Sequence, residues 1–276
     1  MVLLIKLLKN VSKNFLVLSL LLGFVFAQAN TNPVLATNYL VQDFDTGEII
    51  AEKNSLEVRS IASITKVMTA IIVLDADQNL EEKIRYKSIK NISSKLPNNS
   101  LVTRKELLLI TLMSSDNGAA KTLALHYPGG EEAAIAAMNS KAAQLGMNNT
   151  TFTDSTGLLN GNVSTVQDLV KLVNYAYNYD SIREFSTKPT QRVQINNKKT
   201  TFLDFRTTNL LVQNYDVLLS KTGWIRASGG CLVMVISNQG KRLLVVLLNS
   251  KNTTTRIRDG ALLTGYNNVG NKGNYR

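Results

Sequence analysis

Ser60-Ile61-Ala62-Ser63-Ile64-Thr65-Lys66-Val67-Met68-Thr69-Ala70-Ile71-Ile72 combines a helix with a chemical device. Ile61, Ile64, Val67, Met68, Ile71 and Ile72 recur at helical spacing, with Ser60 placed as an N-cap. Residues i and i+3 share a helix face, so the Lys66 amine can reach the Ser63 hydroxyl. Serine is a weak nucleophile until a base takes its proton, and lysine is such a base only if burial or nearby cations lower its pKa. The pattern alone is weak: a chain of this composition contains about one Ser-x-x-Lys by chance.

Upstream, Tyr39–Asp43 and Ile49–Ala51 flank Asp45-Thr46-Gly47 and predict a hairpin. Downstream the pattern is helical: Arg104–Met113, Gly118–Tyr127, Glu131–Leu145 with Gly146 just past its end, and a helix to about Tyr177 opened by the capping box Ser164-Thr165-Val166-Gln167. The last third alternates. Arg192–Ile195 and Thr200–Phe205 bracket Asn196-Asn197-Lys198-Lys199, and Val217–Trp224, Cys231–Ser237 and Arg242–Leu248 read as strands before a helix over Thr255–Leu263. The expectation is an α+β fold: one antiparallel sheet built from both ends of the chain (about 30–60 and 190–276), flanked by helices, with a helical insertion over about 61–189. A cleft between the two lobes of this single domain is the natural place for a site.

Residues 1–29 are set apart. Lys6, Lys9 and Lys13 precede an apolar run from Phe15 to Phe26, and Ala27-Gln28-Ala29 supplies a small-x-small cleavage pattern, as in a secretory leader. The run is short for a membrane span of about 20 residues. Asn267–Arg276 is polar and glycine-rich, with no amphipathic anchor. The reading is a soluble, periplasmic or otherwise extracytoplasmic protein that starts at Asn30. Net charge is +11; the leader holds three lysines and no acid, which leaves +8 for residues 30–276. That charge suits an acidic polymer, or peripheral contact with the wall or an anionic membrane surface, and export argues against nucleic acid.

The single cysteine, Cys231, excludes an intrachain disulfide and reads as a core residue; the single histidine, His126, cannot build a usual His/Cys zinc site and reads as structural. No metal or other cofactor is expected. Catalysis falls to serine, lysine, asparagine and backbone groups.

Two further motifs supply them. Ser115-Asp116-Asn117 lies at a break between helices, where a serine can relay a proton and an asparagine can hold an amide. Lys221-Thr222-Gly223 lies on a strand, where a cation and a hydroxyl can hold a substrate carboxylate and a glycine lets the substrate backbone lie close. By order, spacing and context, the three motifs resemble those of penicillin-binding proteins and class A β-lactamases.

The likeness extends through Leu112–Asn117, Leu125–Gly130, Leu145–Thr150, Thr156–Leu158, Phe205–Asn209 and Gly230–Met234, which look like the low-molecular-mass D-alanyl-D-alanine peptidases (peptidase S11 type), most of all the penicillin-binding protein 7 group of DD-endopeptidases. The resemblance implies a DD-peptidase/β-lactamase-like fold and a cell-wall hydrolase acting on peptidoglycan stem peptides and cross-links, with β-lactams as covalent inhibitors. Ser63 would be the acylated nucleophile, Lys66 its base and Ser115 a proton relay. Asn117 would bind the substrate amide, Lys221 would supply charge beside Ser115, and Thr222 and Gly223 would line the substrate strand. The backbone N–H groups of Ser63 and Trp224 would form the oxyanion hole. A carboxypeptidase removing terminal D-alanine is the alternative within the class. A β-lactamase would need the Glu-x-x-Leu-Asn pattern, and Thr156-Gly157-Leu158-Leu159-Asn160 has threonine in place of the acid. A non-catalytic wall-binding protein would not need all of Ser63, Lys66, Ser115, Asn117 and Lys221. Asp154 reads as a loop cap; Arg256 and Arg258 are candidates to offer positive charge to a substrate carboxylate but read first as an exposed helix start.

Overall fold

The computed structural model describes residues 33–196 and 200–265. The expected leader, the hairpin tip at 197–199 and the tail from Asn267 lie outside the described residues.

The first hairpin forms where alternation predicts it: β1 (Asn38–Asp43) and β2 (Ile49–Lys53). Its turn is made by Asp43, whose Oδ1 accepts from the backbone N–H of Asp45 and Thr46 at 2.9 and 3.0 Å. A short strand, β3 (Arg59–Ser60), leads into a 3-10 turn over Ala62–Ile64 and then α1 (Thr65–Asp75). Ser60 is not the cap that the sequence suggests. It pairs with Val163 in a sheet, and no side chain caps the helix entry.

Next come β4 (Lys83–Arg85), β5 (Leu101–Thr103), α2 (Arg104–Met113) and α3 (Asn117–Leu125). Thr103 and Glu106 form a reciprocal capping box at the start of α2, and Asp116 caps α3 by accepting from Ala119 N–H at 2.9 Å. After α4 (Gly130–Gln144) and β6 (Val163–Ser164), α5 (Val166–Ala176) is capped by Thr165, one residue beyond the expected Ser164, through Asp168 N–H at 3.1 Å. The chain ends with α6 (Asp180–Thr187), β7 (Thr190–Asn196), β8 (Thr200–Arg206), β9 (Val217–Ile225), β10 (Gly229–Asn238), β11 (Lys241–Ser250) and α7 (Thr253–Leu263).

The main sheet has the order β2-β1-β11-β10-β9, antiparallel throughout. Strand β10, next to the edge strand β9, is buried on both faces. Cys231, Val233 and Val235 join the core beneath α1, whereas Leu232, Met234 and Ile236 pack against Ile257 and Ala261 of α7. The hairpin β7–β8 departs from expectation. It does not extend the main sheet but joins β4 and β5 in a separate sheet, through Leu101 and Asn196. Alternation shows that a segment is a strand; it says little about which neighbour that strand pairs with.

Asp259, fully buried on α7, ties both ends of the fold together. Its carboxylate accepts from Leu35 N–H (3.1 Å), Ala36 N–H (2.8 Å), Ser250 Oγ (2.8 Å) and the Arg258 guanidinium (3.0 Å). Asp259→Ala strands several of these donors and is expected to cost about 3 kcal/mol, lowering the midpoint by roughly 10 °C in a thermal melt.

Candidate active site

Ser63, Ser115, Asn117, Thr222, Gly223 and Trp224 line one cleft of about 260 Å³, together with Leu158, Thr208, Thr253 and Arg256. Lys66 and Lys221 lie beneath it, almost without solvent exposure. The fold therefore brings all eight residues singled out in the sequence to one place.

Lys66 projects from the first turn of α1 into a polar socket. Its Nζ is 2.8 Å from Ser63 Oγ, 2.8 Å from Asn117 Oδ1 and 2.6 Å from the Thr156 carbonyl. Burial pushes its pKa down from the ordinary lysine value to about 7, against the opposing pull of Asp154 and Asp116. The partners suit a neutral amine. Asn117 Oδ1 and the Thr156 carbonyl can only accept, which uses two N–H bonds and leaves the lone pair for the Ser63 hydroxyl proton.

Asn117 is held in that orientation by its other end, since Nδ2 donates to Ser93 Oγ at 3.1 Å. The Thr156 carbonyl is presented by a loop wound around Asp154. That carboxylate accepts from Thr156 N–H and Oγ1 (both 2.6 Å), Gly157 N–H (2.7 Å) and Leu159 N–H (3.1 Å), a capping role as read from the sequence.

Ser115 sits between α2 and α3 with a left-handed backbone (φ +60°), a costly conformation for serine that directs its hydroxyl to Lys221 Nζ, 2.8 Å away. Lys221 also donates to the Thr222 carbonyl at 2.7 Å. Burial holds its pKa well below the ordinary value, and the neighbouring Lys66 and Arg256 charges push the same way. Thr222 Oγ1 lies 2.5 Å from Thr208 Oγ1.

Two glycines clamp the turn that carries Ser63. A Cβ on Gly157 (φ +78°) would stand 1.9 Å from the Ala62 carbonyl oxygen, and one on Gly223 would stand 3.0 Å from both Ile61 O and Ser63 N. The bare Cα of Gly223 thus makes room for the Ser63 turn, not only for a substrate strand. Ala62, just before Ser63, is itself left-handed at φ +46°.

Strand β9 is the free edge of the main sheet. Ser220 N–H points off that edge to Ser186 Oγ at 3.2 Å, so by strand alternation the N–H groups of Thr222 and Trp224 point off it too. The Ser63 and Trp224 amides are the pair expected from the sequence as oxyanion donors.

His126 caps the far end of α3, with Nδ1 2.9 Å from the Thr122 carbonyl, and takes no part in the cleft. Among the described residues no three His, Cys, Asp or Glu side chains cluster as a metal site. Arg256 corrects the sequence reading: it is 5% exposed rather than part of an exposed helix start. It donates to the Gly223 carbonyl at 3.0 Å and to that of Thr208 at 3.5 Å, beneath the cleft. Thr208 and Ser93 were missed as site residues and Arg256 was set aside in favour of an exposed helix start, because only the packing of α7 and two loops against β9 and α3 brings them to the site.

A buried lysine against a serine, a second serine–lysine pair and a free strand edge define a family. The D-alanyl-D-alanine carboxypeptidase family, peptidase S11, matches residues 26–252. The chain belongs to peptidase S11. It is 40% identical over 245 residues to a D-alanyl-D-alanine endopeptidase of Escherichia coli (strain K12), covering 86% of this chain and 79% of that one. Among solved structures, a mutant of the Streptomyces K15 DD-transpeptidase superposes with a TM-score of 0.79 at 26% identity, over 85% of this chain and 98% of that one. Penicillin-binding protein D2 of Listeria monocytogenes, in its ampicillin-bound form, gives 0.76 at 26% identity over 85% and 97%. The α+β DD-peptidase fold expected from the sequence is the one observed.

With neutral Lys66 as the base expected from the sequence, acylation of Ser63 should rise with pH through about 7. Single-turnover rates are expected to be about tenfold lower at pH 6 than at pH 8, the ratio of neutral amine at the two values. Gly157→Ala forces the Ser63 turn to move; it should cost about 2–4 kcal/mol in a denaturant melt and slow acylation at least about tenfold.

Proposed function

We propose that this chain is a DD-endopeptidase that cuts D-alanyl bonds in peptidoglycan cross-links through an ester on Ser63. The observation that carries the reading is the Lys66 amine, desolvated and 2.8 Å from Ser63 Oγ, with its other partners suited to the neutral form.

Lys66 takes the Ser63 proton as Oγ attacks the D-alanyl carbonyl carbon. The carbonyl oxygen becomes an oxyanion held by the N–H groups of Ser63 and Trp224. Collapse breaks the C–N bond, and the leaving amine takes a proton through Ser115, which Lys221 holds in position. Asn117 binds the substrate amide, while Lys221, Thr222 and Arg256 draw a carboxylate toward the leaving-group side. Water then attacks the ester, with Lys66 again accepting the proton, and Ser63 is released. A β-lactam would acylate the same serine. Without a carboxylate where Thr156 stands, rapid hydrolysis of that ester is not expected.

Endopeptidase is preferred because the relative at 40% identity bears that name. The family's description as carboxypeptidases keeps removal of terminal D-alanine as the second reading. Action outside the cytoplasm rests on the leader-like residues 1–29, and no helix among the described residues is long and apolar enough to cross a membrane.

Fluorescent penicillin should label the protein covalently, and Ser63→Ala should abolish labelling while leaving the melting temperature within a few degrees. With purified muropeptides, chromatography should show cross-linked dimers converted to monomers faster than D-alanine is released from pentapeptide. The reverse order would make it a carboxypeptidase, and a folded wild type that takes no label would refute the acyl-serine reading.

A further inference from the structure

Trp224 is the chain's single tryptophan, and its side chain is half exposed at the mouth of the cleft. An indole left in solvent beside a reacting serine calls for an explanation, because tryptophan side chains are large and mostly buried. Its position on β9 specifies what it faces. Thr222 pairs with Leu232 and Trp224 pairs with Gly230 across β9 and β10, so both side chains stand on the sheet face covered by α7. Gly230 confirms the direction. A Cβ there would meet the Asn252 carbonyl at 2.8 Å and Arg256 Cβ at 3.0 Å, so the start of α7 lies close beside the indole.

The indole therefore shares a wall of the cleft with Thr222, Thr253 and Arg256. In the mechanism above, that wall receives the leaving residue, with its carboxylate drawn toward Lys221, Thr222 and Arg256. A leaving D-alanine carries only a methyl group beyond that carboxylate, too short to cover an indole. In a direct cross-link, where one residue must supply a second amine, the leaving residue is a diamino acid with an aliphatic side chain and a peptide attached. That chain can lie on the indole face, and the indole N–H can donate to a peptide carbonyl, as tryptophan commonly does where one end is apolar and the other wet.

We infer that Trp224 recognises the acceptor stem peptide of a cross-link, its indole packing against the diamino acid that becomes the leaving group. The inference rests on the endopeptidase reading and makes Trp224 a specificity-determining residue for it.

The test compares wild type, Trp224→Phe and Trp224→Ala on a cross-linked tetrapeptide dimer and on an uncross-linked pentapeptide. Trp224→Ala is expected to lower the ratio of kcat/KM for dimer over pentapeptide about tenfold, mainly through KM for the dimer, and Trp224→Phe should restore most of it. Binding of the dimer to Ser63→Ala should shift tryptophan emission to the blue, and the pentapeptide should not. An unchanged ratio in Trp224→Ala, with wild type still cutting the dimer, overturns the role of Trp224 alone. A wild type that trims the pentapeptide but leaves the dimer intact overturns the endopeptidase reading along with it.

Discussion

The desolvated amine of Lys66 is the constraint around which the other parts of this molecule are arranged. A lysine held near pKa 7 at a fully buried position opposes folding at neutral pH by on the order of 4 kcal/mol, because the unfolded chain binds a proton there more tightly. The sign is clear: the penalty is absent above the unfolded pKa, grows as pH falls toward about 7, and is constant below it. The fold sustains this with a large apolar core beneath α1 and with three oxygen partners from three separate segments: the 3-10 turn that carries Ser63, the start of α3, and the loop at Thr156. None of these segments could hold the amine alone. Nucleophile and base are thus a property of the assembled domain rather than of the four-residue motif that contains them.

Close approach imposes a second demand. The turn bearing Ser63 is gripped between Gly157 and Gly223, one from the loop and one from the edge strand, with backbone where side chains would otherwise stand. The same grip sets the Ser63 turn directly against the edge strand β9. Ser115 and Ala62 accept left-handed backbone conformations within this region, strain that the surrounding packing must hold in place. Charge follows the same economy: Lys221 is buried near Lys66 and Arg256, whose charges add to burial in disfavouring its protonation.

Much of this was legible in the sequence, for identifiable reasons. Helical and alternating periodicity placed α2 to α5, α7 and the strands β9 to β11 to within a residue or two, because burial on one face dominates those segments; α6 was not read from the sequence, and α1 starts at Thr65, beyond the expected Ser60 cap. The three motifs foretold which side chains meet, because their chemistry is useless apart. What eluded the sequence depends on tertiary partners. Ser60 looks like a cap but is absorbed into a two-residue strand, and Thr165 caps where Ser164 seemed equally suited. The β7–β8 hairpin was recognisable as a hairpin, but its sheet was not. Arg256 has the local setting of an exposed helix start and is buried because α7 folds back over the edge of β9.

The strand order has a consequence for when the enzyme can exist at all. Leu40 in β1 is partnered by Val246 in β11, near the other end of the described chain, and β11 in turn holds β10 and β9. Until that last strand arrives, β1 and β2 are a hairpin with no sheet, and the Ser63 turn lacks the edge that grips it. Such long-range pairing is slow to nucleate. A growing chain therefore carries its nucleophile and its base through about 180 further residues without an active site, and gains one only when β11 pairs with β1.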